Sequence, residues 1–130
     1  MASDPKTPLN LTVLRIFAPL LIVVGLLGFV MPASMALTSG AAPYNVFHLI
    51  FGVIGLGCVF SKQLPLVRAF NAGFGAIDLY QALASVVGLW PKALFEWKLA
   101  DDVLHVVIGL GLLLVGLLAD RAHAQVTQKT

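Results

Sequence analysis

Four long apolar runs, separated by short polar breaks, make up most of this chain: roughly 16–31, 43–60, 69–90 and 103–119. Each comes close to the roughly 17–25 residues that a helix needs to cross a bilayer core of about 30 Å. The runs are continuous rather than alternating, so they predict helices and not the strands of a barrel. Transmembrane helices are therefore expected at about 12–31, 44–60, 66–89 and 102–119, in one domain covering residues 1–130. Pro32 should end the first. The short turn Ser61-Lys62-Gln63-Leu64-Pro65 makes the second and third antiparallel neighbours. Trp90–Ala100, with Pro91 in its first turn, suits a short interfacial helix.

The pattern also repeats. Asn45-Val46-Phe47-His48-Leu49-Ile50-Phe51-Gly52 is answered by Asp102-Val103-Leu104-His105-Val106-Val107-Ile108-Gly109, and Leu14-Arg15-Ile16-Phe17 by Val67-Arg68-Ala69-Phe70. The arginines lie 53 positions apart and the histidines 57, so a four-residue insertion separates the marks. An even number of crossings joins the copies, which gives them one orientation about a pseudo-twofold axis along the membrane normal. The expected fold is an all-α membrane protein: four transmembrane helices built as two tandem helical hairpins, a parallel internal repeat. Helix two should face or flank helix four, with both histidines at one depth.

Composition and charge orient this picture. Of the 130 residues, 59% are hydrophobic and 11% charged, against about 25% charged in an ordinary globular chain. The mean hydropathy is +0.96. Lys6, Arg15, Lys62, Arg68, Arg121 and Lys129 collect at one set of helix ends; Lys92 and Lys98 share the other with Glu96, Asp101 and Asp102. The positive-inside bias then places both termini in the cytoplasm. Tyr44, Trp90 and Trp97 would form an aromatic belt at the outer interface. The expected setting is a bacterial inner membrane, or an intracytoplasmic or thylakoid-type membrane. Eight basic residues at membrane-flanking positions offer no nucleic-acid surface. No nucleophile–base set, phosphate loop, CxxCH or HExxH sequence is present, so the protein is expected to be non-enzymatic. Cys58 reads as a small packed side chain, and His123 as a solvated tail residue.

Two sets of residues could carry chemistry. Asn45, His48, Gly52 and Gly55 share one face of the second helix, and Asp102, His105, Gly109 and Gly116 the matching face of the fourth. An imidazole above a glycine groove suits a flat macrocycle, with the ring nitrogen on its metal. His48 and His105 are thus candidate metal ligands. With Gly52 and Gly109 they form a candidate cradle for a tetrapyrrole, either haem or a chlorophyll-type pigment. The same residues suit a plainer role, with Asn45 and Asp102 as N-caps, the histidines at N3 and the glycines as close-packing sites.

The third helix breaks the repeat. Asn71, Asp78, Gln81 and Ser85 continue a polar stripe from Arg68, and Asp78 lies about 15 Å along the axis from that arginine. An ionised carboxylate near the midplane costs about 2.5–3.5 kcal/mol on insertion scales, so it must be protonated, paired or in contact with water. Gly25 and Gly28, the counterparts of Asp78 and Gln81 counted from the arginines, could make room for them.

The arginine opening helix one, the Asn45–Gly52 segment and the His105–Gly109 segment together resemble a family of small four-helix bacterial membrane proteins. That family is catalogued only as a domain of unknown function. The resemblance covers nearly the whole chain and implies the four-helix fold but no activity. From the residues, the leading expectation is an accessory or structural subunit of a larger membrane complex, in contact with lipid and other membrane subunits. It would hold a tetrapyrrole through His48 and His105. The alternative is a small proton, ion or solute pathway centred on Asp78.

Overall fold

The computed structural model describes residues 6–122. They form α1 (Leu9–Val30), α2 (Ala42–Phe60), α3 (Leu64–Val87), the single turn α4 (Lys92–Phe95) and α5 (Leu99–Leu118). His123 and Lys129 lie outside the described residues. Helices α1, α2 and α5 are long and apolar enough to cross a membrane. α3 has 24 residues, about 36 Å at 1.5 Å per residue, but its polar stripe keeps it out of that group. Leucine, isoleucine and valine side chains stand exposed along the outer faces of the long helices. Such a surface matches hydrocarbon rather than water, and the backbone beneath it is satisfied within the helices.

Proline and glycine set the boundaries. α1 stops as Pro32 forces Met31 into an extended conformation. α3 carries Pro65 in its first turn and ends on Gly88, whose φ of 79° lies in the left-handed region. α2 and α5 start at Ala42 and Leu99, earlier than expected, so Asn45 and Asp102 lie inside helices and are not N-caps. In α2 Pro43 occupies the first turn. In α5 the Asp101 carboxylate accepts the Lys98 N–H at 2.8 Å and closes the first turn.

The long helices pack as two tight pairs, α1 with α2 and α3 with α5. Glycine lets the backbones meet. A Cβ on Gly52 would come within 3.0 Å of the Ala18 carbonyl oxygen and the Ile22 nitrogen. A Cβ on Gly109 would come equally close to the Gly75 carbonyl oxygen and the Asp78 Cβ. Between the pairs, Phe17 of α1 meets Phe74 of α3 edge-on at 5.6 Å, in a core completed by Leu21 and Leu112. Across the bundle it is α1 and α3 that approach each other, more than α2 and α5 do. The two histidine-bearing helices flank each other rather than pack along their lengths: they meet at their starts, where Tyr44 of α2 reaches Asp101 and His105 of α5.

Polar side chains tie the end of the bundle at which α1 starts and α5 stops. Asn10, fully buried, donates from Nδ2 to the Val115 carbonyl (3.1 Å) and to Asp120 (2.9 Å). Asp120 accepts the N–H groups of Leu9 and Asn10, which open α1. Asn71 of α3 donates to both the backbone and side-chain oxygens of Asn10. Arg68 donates to the Gly116 and Leu117 carbonyls near the end of α5, where a cation also suits the helix dipole. Replacing Asn71 by leucine leaves these Asn10 oxygens short of a donor. The variant should lose about 1–2 kcal/mol, visible as a lowered melting temperature in mild detergent.

Candidate functional site

His48 and His105 are each the seventh residue of their helix, which puts both imidazoles about 9 Å below the helix starts. Asp78 lies nine residues before the end of α3, about 14 Å from the same end of the bundle. All three are buried, at 7%, 5% and 3% exposure. With Tyr44 they line a cavity of about 130 Å³ whose other walls are apolar except for Thr38. Histidines and aspartate, on three different helices, thus address one space.

Tyr44 is the centre of the arrangement. It was expected in an interfacial belt, yet it is buried and points inward. Its hydroxyl donates to Asp101 Oδ1 at 2.7 Å and lies 3.5 Å from His105 Nε2. Its ring packs edge-on against His48 at 4.2 Å and tilted against His105 at 6.2 Å. The Asp101 carboxylate also accepts the N–H groups of Ser39 and Lys98, both at 2.8 Å. Ser39 Oγ donates to the Phe95 carbonyl, and Lys98 Nζ donates to Ala36 O at 2.9 Å. The α1–α2 loop is thereby fastened over the cavity.

Two polar atoms are left for whatever enters; a third without a partner, His105 Nδ1, is enclosed by protein. His48 Nδ1 lies 2.9 Å from the Tyr44 carbonyl oxygen. A carbonyl only accepts, so in the neutral ring this nitrogen carries the hydrogen and Nε2 keeps a lone pair. Asp78 receives one bond, from Gln81 Nε2 to Oδ1 at 3.2 Å, which leaves Oδ2 without a protein donor. His48 Nε2 can take up a proton or a hydrogen bond, and the Asp78 carboxyl can give or receive either.

The remaining stripe residues do not reach the cavity wall. Asn71 joins the Asn10 network, Gln81 serves Asp78, and Ser85 is buried above them. Gly52 and Gly109 do not form a cradle, because α1 fills the space beside one and α3 the space beside the other. A tetrapyrrole between His48 and His105 does not fit. The cavity is smaller than the roughly 300–1,000 Å³ of ordinary ligand clefts, and both imidazoles pack on the Tyr44 ring. Among the described residues no three His, Cys, Asp or Glu side chains gather as a metal-binding group.

Tyr44 and Asp101 are the residues that sequence reasoning missed. A usable signal was present: they lie 57 positions apart, the offset that relates the two histidines.

The apolar outer surface and the three spanning-grade helices define a helical membrane protein with a polar interior. Compared with protein-family models, with curated proteins and with solved structures, the chain matches none.

Proposed function

We propose that this is a non-enzymatic integral membrane protein in which all four long helices cross the bilayer, and that it serves as a small proton or solute pathway centred on Asp78. The carrying observation is the cavity, into which Asp78 and His48 each present a polar atom that no other side chain satisfies. Ionisable groups inside a membrane, facing a cavity rather than lipid, are the usual marks of such a path.

Two further points support this reading. The polar stripe of α3 is consumed inside the chain: Asn71, Asp78, Gln81 and Ser85 are all buried. This takes away the motive for an accessory subunit, a polar face in need of a partner. The duplicated hairpin also gains support. Gly52 meets Ile22 while Gly109 meets Gly75, and those pairs keep the offsets of 53 and 57 that separate the arginines and the histidines. The Tyr44–Asp101 hydrogen bond then joins equivalent positions, a contact that arises only close to the axis relating two copies. The basic residues at the terminal end favour cytoplasmic termini.

The test is reconstitution in liposomes loaded with a pH-sensitive dye. The protein should dissipate an imposed pH gradient. Asp78→Asn keeps an acceptor for Gln81 and should slow dissipation on the order of a hundredfold, the usual weight of a proton-transfer group. Equal rates for the two proteins would end the proposal.

A further inference from the structure

We infer that the cavity takes the single-ring phenolic head of a lipid-soluble amphipath, which enters sideways from the bilayer and leaves its apolar tail between α1 and α5. This rests on the cavity being a binding site, as proposed above, and adds the ligand's chemical class and its route.

Size sets the first limit. A cavity of about 130 Å³ is close to the roughly 150 Å³ that accommodates a benzene ring in a protein interior. Phe17, Phe74 and Tyr44 supply aromatic walls, against which a ring packs edge-on or offset. Hydrogen bonding sets the second limit. The lone pair on His48 Nε2 calls for a donor, and the Asp78 carboxyl beside the same space can answer a hydroxyl as donor or acceptor. A hydroxyl on an aromatic ring meets both demands. Both side chains are more than nine-tenths buried, so leaving those atoms without partners has a cost that such a ligand removes.

The route follows from what closes the cavity. Toward the loops, Ser39, Tyr44 and Lys98 all bond to Asp101 and seal that end. Toward the bilayer, the wall is Leu20 of α1 and Leu104 of α5, each about half exposed at 48% and 45%. A second groove of about 370 Å³ runs down the same α1–α5 seam and shares Phe17, Leu20 and Ile108 with the cavity. Its own walls include Val13, Ile16 and Gly111, and no polar side chain lines it. An ion would cross that seam at a heavy desolvation penalty; a neutral molecule with one polar end and an apolar chain would not.

The experiment is equilibrium binding of 4-decylphenol and of decylbenzene to the full chain in nanodiscs, with empty nanodiscs subtracted. Decylphenol should bind saturably at one per chain, and decylbenzene about tenfold more weakly, the worth of a buried hydrogen bond. His48→Phe keeps a ring but removes the lone pair, and should abolish the preference for the phenol. Gly111→Phe places its Cβ where nothing lies within 4 Å, so it should leave the fold intact while filling the groove and weakening both ligands. Equal affinity of the two probes for the native protein overturns the inference, as does binding indifferent to Gly111→Phe. If the phenol preference is absent while proton flux still depends on Asp78, the ligand class falls and the pathway stands. If the preference is present while Asp78→Asn leaves flux unchanged, the ligand site stands and the pathway falls.

Discussion

Gly75→Leu is expected to separate α3 from α5. A Cβ at this position would stand 2.5 Å from the Leu113 nitrogen and 2.7 Å from the Gly109 carbonyl oxygen. Both are backbone atoms of the facing helix, so no side chain can swing aside and the helices themselves must part. Overpacking a well-filled site costs typically about 1–3 kcal/mol and sometimes more, and a leucine adds further atoms beyond the Cβ. In a bilayer the loss is not offset by hydrophobic association, because lipid tails solvate apolar side chains as well as a neighbouring helix does. A destabilisation of about 3 kcal/mol follows, read as a lower melting temperature in mild detergent. Gly73→Leu is the control, since a Cβ there meets nothing within 4 Å. If the two variants melt alike, close backbone approach is not what holds this hairpin.

That contrast also separates what was legible in the sequence from what was not. Helix number and order followed from the apolar runs, because a bilayer imposes length and hydrophobicity on each crossing separately. The start of α5 was misplaced because Asp102 looks like a cap when local chemistry alone is weighed. It is the neighbouring Asp101 that closes the turn, and it does so while also holding Ser39 and Tyr44 from other segments. Glycine pattern marked helix–helix contacts correctly in place but not in purpose. Gly52 and Gly109 have the spacing of a ligand cradle and of a packing seam alike, and only the partner helix distinguishes the two.

The site was half legible for a related reason. His48, His105 and Asp78 stood out as ionisable residues in apolar runs. Whether Asp78 and the histidines share a space depends on helix rotation about the bundle axis, which the heptad-like spacing of the stripe leaves open. Tyr44 was hidden by its type: near a membrane surface tyrosine usually marks the interface. Asn10 was hidden by its position, just ahead of the predicted helix, where a polar residue draws no notice.

Asp101→Ala should release the loop end of the bundle. Asp101 is fully buried and takes three donors: Ser39 N–H at 2.8 Å, Lys98 N–H at 2.8 Å and the Tyr44 hydroxyl at 2.7 Å. Alanine leaves all three without an acceptor. Each unsatisfied buried group costs about 1–3 kcal/mol, and water reaching the loop would recover part of it, so a total near 3 kcal/mol is expected. Asp101→Asn retains one acceptor oxygen and should cost clearly less. The released segment is the linker between α1 and α2, so amide hydrogen exchange at residues 36–41 should accelerate well before the helices open. The Tyr44 hydroxyl has His105 Nε2 as its remaining neighbour, at 3.5 Å. It should move toward that imidazole, and the shift of the His105 ring nitrogens in an NMR spectrum would register the change. Unaltered exchange in the loop, together with an unmoved His105 signal, would show that Asp101 is not the fastening point between the two hairpins.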